Sequence, residues 1–336
     1  MKVVVMNNLS FKFLRVLWIF SLISVVYPNY AKADYKKVHV GVLAYGTVNW
    51  ELDTVKHHQL DKKEKFDLNI TKLGSKNATA VALQGNEVDA IVTDWLWVSR
   101  QRNSKKYYTF VPHSIAVGGL MVRPDANIKS LKDLSGLKLG IAGGPVDKSW
   151  LMLRAYSKKL IGKDLKEIVK PTYAAPPLLN KIMLKGDIPA ILNFWHYNAK
   201  LKAAGMTEFL SIDGLLPALG IKTTPPLIGW VFDERWAKSN LGTVQSFFRC
   251  LRAAKQILAS SDSEWDRLRP LTKAKNDKTF EALKSGYRKG IPKSFNDKDI
   301  AAATSLFSIL VKYGGRDLIG NKPVLAPGTF WSGFRF

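Results

Sequence analysis

The chain has 336 residues, 46% hydrophobic and 23% charged, a balance that excludes wholesale disorder and provides for one large domain or two modest lobes. Its 51 Lys and Arg outnumber 27 Asp and Glu, for a formal charge of +24, which implies long-range attraction to anions. The basic residues are spread singly and in pairs, with KKEK (62–65) and SKK (104–106) reading as solvated faces, so nucleic acid is not expected as a partner.

Lys2, Lys12 and Arg15 flank or precede the apolar run VLWIFSLISVV (16–26), followed by Pro28 and the small-x-small triplet Ala31-Lys32-Ala33. A basic start, a short apolar core and such a triplet predict a secretory signal peptide over 1–33, cleaved after Ala33. The run is shorter than the ~20 residues of a membrane span. The expected destination is the periplasm. Cys250, the single cysteine, has no internal disulfide partner and reads as a small buried apolar residue.

From Val38 strands and helices alternate. VHVGVL (38–43), FDLNITKL (66–73), VDAIVT (88–93) and YTFVP (108–112) read as strands. Helices are predicted over 50–60, 77–85 and 95–103. This is the pattern of a largely parallel sheet with helices on both faces. It restarts with LKLGIA (137–142), a Gly-rich turn at 142–147, a helix over 150–160 capped by Asp147, and EIVKPTYA (167–174) as a strand. PPLLNKIMLKG (176–186) opens a helix on Pro, where the missing N–H does no harm. AILN (190–193) is a buried strand and 194–205 a helix ended by Gly205.

The two series share a block. Ala90-Ile91-Val92-Thr93-Asp94-Trp95 aligns with Ala190-Ile191-Leu192-Asn193-Phe194-Trp195, each preceded by a helix and a Gly-containing turn. Two related α/β lobes follow from this. After LIGWVF (227–232) the chain reads as helical over 233–260, 276–289 and 296–313, with breaks at Pro270, Pro292 and Gly314-Gly315. Having no sheet of their own, these helices are expected to cover the first lobe. The chain would then cross between lobes near His113–Met121 and Lys222–Trp230.

The segments GGLMVRPDANIKSLKDLSGLKLGIAGGPVDKSWLMLRAY (118–156) and GNEVDAIVTDWLW (85–97) resemble the nitrate/sulfonate/taurine-type periplasmic solute-binding proteins of ABC transporters, a branch that includes binders of thiamine pyrimidine precursors. The resemblance runs from about Val38 to Trp236. It implies a type II periplasmic binding protein fold: an α/β chain with two lobes joined by two crossing segments. Residues 34–115 would form the first part of lobe I, 116–223 lobe II, and 224–336 the return to lobe I with the C-terminal helices. It also implies a small-molecule ligand, a membrane permease as partner, a monomer, and no cofactor. LAYGTVNW (43–50) departs from the open polar segment usual there by carrying two aromatics.

In open α/β sheets ligands bind beyond the carboxyl ends of the strands. Thr93, Asp94 and Trp95 end one strand; Asn193 and Trp195 end its counterpart. They are expected to line the cleft, with Asp94 also capping a helix. Tyr45 and Trp50 would form a wall from the first loop. Ser75 and Asn77 open one helix and Gly144 precedes another, where free N–H groups favour anionic groups. Aromatics and Asp94 suit a cation or nitrogen heterocycle, and the helix starts suit an anion. A small polar solute of sulfonate, amine or pyrimidine type is expected, and a zwitterion or polar heterocycle meets both demands. No H-E-x-x-H, G-x-S-x-G or phosphate loop is present, so neither catalytic nor metal-binding residues are expected. His57 and His58, adjacent on a helix, are expected to diverge as poor metal partners. The alternatives are an accessory protein that binds another exported protein and an enzyme acting on a pyrimidine-type compound.

Overall fold

The computed structural model describes Met1 and residues 35–334. The expected signal peptide therefore falls, Met1 aside, outside the described residues. In chain order, the first lobe comprises β1 (Lys36–Leu43), α1 (Val48–His57), α2 (Leu60–Lys63), β2 (Phe66–Leu73), α3 (Lys76–Gln84), β3 (Ala90–Asp94), α4 (Trp95–Asn103) and β4 (Tyr108–Ser114). The second comprises β5 (Gly119–Val122), β6 (Lys138–Ala142), α5 (Lys148–Ile161), α6 (Leu165–Ile168), β7 (Lys170–Ala174), α7 (Pro176–Lys185), β8 (Ala190–Asn193), α8 (Trp195–Ala203), β9 (Thr207–Ser211) and α9 (Ile212–Leu215). The chain then returns through β10 (Ile228–Asp233), α10 (Glu234–Ser239), α11 (Leu241–Ser260), α12 (Asp262–Thr272), α13 (Asp277–Lys289) and α14 (Asp297–Ile319).

Each lobe holds a five-stranded sheet, ordered β2-β1-β3-β10-β4 and β7-β6-β8-β5-β9. The two orders are equivalent. β1 runs parallel to β2 and β3, as β6 does to β7 and β8. In each sheet the fourth strand is antiparallel to both neighbours: β10 against β3 and β4, β5 against β8 and β9. Each of these strands follows a crossing from the other lobe. The repeated blocks become β3 and β8, third in their sheets, with Ile91 opposite Val231 and Ile191 opposite Met121.

Two expected elements change. EIVKPTYA begins in a helix, since α6 takes its first two residues, and the strand starts at Lys170. Pro171 is tolerated there because β7 is an edge strand. Pro270 does not break the chain but falls in the last turn of α12. The glycine pair does act as expected: Gly315 leaves helical geometry and kinks α14.

The return helices do not cover the first lobe alone. α11 packs on α1, β1 and β2, but α13 packs on α8 of the second lobe, and α14 on both α4 and α5. Glycines permit the close approach. A Cβ at Gly286 of α13 would lie 2.8 Å from the Trp195 ring, and one at Gly314 of α14 would lie 2.8 Å from Leu151. As a result one apolar cluster runs through both lobes, with Ile91, Trp95, Trp150 and Leu153 joined by Leu306 and Leu310. Burial of this size is the main stabilising term of such a fold.

Candidate functional site

The carboxyl ends of β1, β2 and β3 deliver three turns from the first lobe, and those of β6, β7 and β8 three from the second. At the centre Asp94 serves two elements. Its Oδ1 accepts from the Trp97 N–H at 2.9 Å and caps α4, while Oδ2 accepts from Lys148 Nζ at 2.7 Å. Lys148 is the first residue of α5, so this ion pair joins the lobes. Both side chains are mostly enclosed, 14% and 20% exposed. Burial alone would push the Asp94 carboxyl up, but the charges of Lys148 and Lys76 and two hydrogen bonds hold it below the usual range. Burial pushes Lys148 down, and Asp94 and Asp147 more than restore it, leaving it above the ordinary lysine value.

Two further charges complete the cluster. Lys76, the first residue of α3, is exposed. Desolvation and then the Lys148 charge hold its ammonium below the usual range. Asp147 caps α5, accepting from the N–H groups of Ser149 and Trp150 at 2.9 and 3.3 Å, and burial raises its carboxyl. Gly143 in the preceding turn has φ +83° and presses on the Asp147 carboxylate, where a Cβ would meet Oδ2 at 2.5 Å; only glycine fits. Two ammonium groups and two carboxylates thus face one another across the lobes.

Around this cluster the expected residues fall into two groups. Tyr45 is 58% exposed, and its hydroxyl donates to the Gly74 carbonyl at 3.2 Å, tying the loop after β1 to the one after β2. It faces Tyr197 of α8, whose phenol is raised by burial and then by Tyr45. Thr93 is half-buried beside Asp94. Ser75 caps α3, its Oγ accepting from the Ala78 N–H at 3.1 Å, and Asn77 is exposed in the first turn. Gly144 has φ +86° with open space where a Cβ would stand. Ser75 and Asn77 flank Lys76, Thr93 precedes Asp94, and Gly144 lies in the turn that ends at Asp147.

Trp95, Asn193 and Trp50 are instead buried. Trp95 is fully buried against Phe307 and Phe330, at centroid distances of 6.3 and 5.9 Å, because α14 covers it; it is a core residue and not a cleft wall. Asn193 is also buried, donating to the Pro176 carbonyl and to Asn180 Oδ1 and accepting from the Phe194 N–H, so its amide is occupied within the second lobe. Trp50 is buried against Trp195, Trp265 and Tyr287 at 6.4, 5.6 and 5.9 Å. It joins α1 to the return helices. Trp195 is half-buried on Gly286 and lines a cavity of about 420 Å³ with Gly118, Asn198 and Lys202, on the α8–α13 side beside the first crossing.

The sequence reading passed over Lys76, Lys148 and Tyr197. The lysines carried a usable signal: a cation at the first position of a helix opposes the helix dipole and calls for a local reason. Both lobes place one there. His196, half-buried in the first turn of α8, has its Nδ1 fully enclosed and without a hydrogen-bond partner. Desolvation, then Lys200, lowers it to about 3, so the ring is neutral at physiological pH.

A separate polar network lies inside the first lobe. Glu51 Oε2 accepts from Lys255 Nζ at 2.5 Å and from the Tyr287 hydroxyl at 3.1 Å, and Lys255 lies 3.2 Å from His113 Nδ1. Burial raises Glu51 and Tyr287 and, with Lys255, holds His113 well below the imidazole range. Cys250 is buried in α11, its thiol pushed up by burial and nearby carboxylates, which removes thiolate character.

No family model matches the sequence, and no curated protein matches it. Solved structures do. The periplasmic aliphatic sulphonate binding protein SsuA of Escherichia coli superposes with a TM-score of 0.69 at 16% identity, over 88% of this chain and 97% of that one. The alkanesulfonate-binding protein SsuA of Xanthomonas axonopodis pv. citri, bound to MOPS, gives 0.66 at 15% identity, over 88% and 98%. The chain adopts the two-lobed periplasmic binding protein fold. The same fold is shared by the desulfurization enzyme DSZB, with a TM-score of 0.57 at 11% identity over 83% and 92% of the two chains. In the periplasmic binding protein fold the strand ends of both lobes face each other, which is where Asp94 and Lys148 meet. No helix among the described residues is long and apolar enough to cross a membrane.

Proposed function

We propose that the chain is the exported solute-binding component of an ABC importer, carried to the periplasm by residues 1–33 and acting as a monomer that presents a captured solute to a membrane permease. The lobes would be 34–115 and 116–223, with 224–336 returning to the first. The ligand is a small polar organic solute held between the lobes. One observation carries this reading: the Asp94–Lys148 ion pair, with Lys76 and Asp147 beside it, stands where the strand ends of two lobes converge. An ion pair so enclosed, with accessible charges beside it, is well placed to recognise a charged solute.

The balance of two cations and two anions favours a ligand carrying both signs. An anionic head group would take Lys76 and Lys148 and the starts of α3 and α5; an amine or ring nitrogen would take Asp94. Ser75, Asn77, Thr93 and Gly144 supply hydrogen-bonding groups, and Tyr45 and Tyr197 supply the apolar walls. The sulfonate binders that share the fold support an anionic sulfur group, and a zwitterionic aminosulfonate meets both demands. Ligand binding favours closure only as far as the closed state is bound more tightly than the open one. A cysteine nucleophile is poorly supported, because the single thiol is buried in α11. A thermal-shift panel of aliphatic sulfonates, aminosulfonates, amines and pyrimidines tests the proposal. Stabilisation by a member of the panel, lost in Lys148→Ala, supports it; stabilisation that persists in Lys148→Ala contradicts this placement of the ligand.

A further inference from the structure

The end of α1 and the start of α12 bring together three ligating side chains that lie outside the cleft. His57, His58 and Glu264 each offer one donor atom, and all three atoms lie within 4.8 Å of one another. The expectation that adjacent histidines diverge fails here. The helix ends at His57, and the two rings pack edge to face with centroids 4.8 Å apart. His58 Nε2 and Glu264 Oε2 are 3.0 Å apart. Two metal–ligand bonds of about 2.1 Å at a tetrahedral angle span roughly 3.4 Å, so the His58–Glu264 pair would open slightly and the wider separations, up to 4.8 Å, would close to hold a metal ion.

We propose that His57, His58 and Glu264 form a binding site for a divalent transition-metal ion of the zinc type. Two imidazoles and one carboxylate are the donors that suit such ions, leaving a fourth position to water. Three features favour a cation. Glu264 is buried, 4% exposed, and firmly oriented: Oε1 accepts from Thr54 Oγ1 and Arg267 Nη2, both at 2.7 Å. The histidines stand at the carboxyl end of α1, the negative end of the helix dipole. Arg267 is the opposing charge, and its Nε also donates to Glu264 Oε2 at 3.1 Å, a bond the metal would have to share or displace; but Arg267 is divided with Asp53 through a 2.6 Å contact, so two carboxylates face one guanidinium. The bound ion would fasten α1 to α12, two helices already in contact through Trp50 and Trp265.

The test is titration of the untagged protein with Zn²⁺ by calorimetry, beside His57→Ala and His58→Ala. Of the three other histidines, His113 is buried and the His196 Nδ1 is enclosed, while half-buried His39 lies beside Asn69, so His39→Ala serves as the control and is expected to leave Zn²⁺ affinity unchanged. The proposal expects one Zn²⁺ per chain, affinity reduced at least ~10-fold in each variant, and a Tm raised by Zn²⁺ in the wild type but not in His58→Ala. Because His57 is exposed, its alanine variant is expected to fold. Zn²⁺ affinity unchanged in either variant, or weaker than ~1 mM in the wild type, overturns the site.

Discussion

The ends of β3 and β8 are the same position in two copies of one architecture, yet they do opposite things. In the first lobe Asp94 turns its carboxylate toward the other lobe while Trp95 is buried under α14. In the second lobe the aligned Phe194 brings no charge, Asn193 is consumed by its own lobe, and Trp195 stays half-buried against Gly286 of α13. The repeat therefore preserves the backbone path and not the chemistry. What differs is the neighbour: the return helices cover each strand end differently, and the polar work of the second lobe passes to Lys148, one strand away. The central ion pair is therefore asymmetric, with a carboxylate from the first lobe and an ammonium from the second.

The largest contrast should appear in stability. Trp95→Ala empties a fully enclosed site and is expected to cost about 3–5 kcal/mol in urea unfolding, whereas Trp195→Ala, at a partly open site, should cost less than half as much. Equal losses would break the distinction between a buried and a half-exposed tryptophan. Next come the residues before them. Asn193→Ala strands the Phe194 N–H and Asn180 and is expected to cost about 1–3 kcal/mol, while Thr93→Ala should fall within about 1 kcal/mol and act mainly on ligand affinity.

A pH series sharpens a second contrast, between the cleft and the buried groups behind it. His113 and His196 are held below their ordinary values in the fold, so the unfolded chain takes up protons that the folded chain refuses. Their contribution is present at neutral pH and is lost as pH falls below about 6.5, by at most ~1.4 kcal/mol per unit for each group. For His196 the loss continues toward about 3. Glu51, raised by burial, works in the opposite sense and favours the fold in acid. His196→Phe should therefore flatten the acid limb of the stability curve measured between pH 7 and 4; an unchanged limb would contradict the burial of that ring. The smallest effect is expected of Tyr45→Phe, which removes one exposed hydrogen bond and should change stability by less than about 0.5 kcal/mol.

Much of this organisation could be read from the chain. The parallel strands β1, β2, β3, β6 and β8 are apolar or alternating runs bounded by turns, so their periodicity alone identifies them. β9 escaped because it is an edge strand of five residues with none buried, so it presents no apolar run. The destination of α13 and α14 escaped for another reason: an apolar helix face shows that it must be covered, not by which lobe. Within the site, Asp94, Tyr45, Ser75 and Asn77 were reachable from strand-end and capping logic. Lys148 is hidden in the sequence because its partner is 54 positions away and nothing local marks the pairing. Trp95 misled because aligned tryptophans suggested aligned roles, while its cover comes from residues more than 200 positions later.

That cover also bears on closure. If the lobes close on a solute as proposed, the packing of α13 on α8 and of α14 on both α4 and α5 means that opening must carry these helices with one lobe or slide packed faces, and the Asp94–Lys148 contact is where capture would be read. The decisive measurement is native mass spectrometry of the protein isolated without refolding, beside Lys148→Ala prepared in the same way. The account predicts a defined small-molecule mass on the wild type, released on denaturation and absent from the variant. The same mass retained on Lys148→Ala would contradict it.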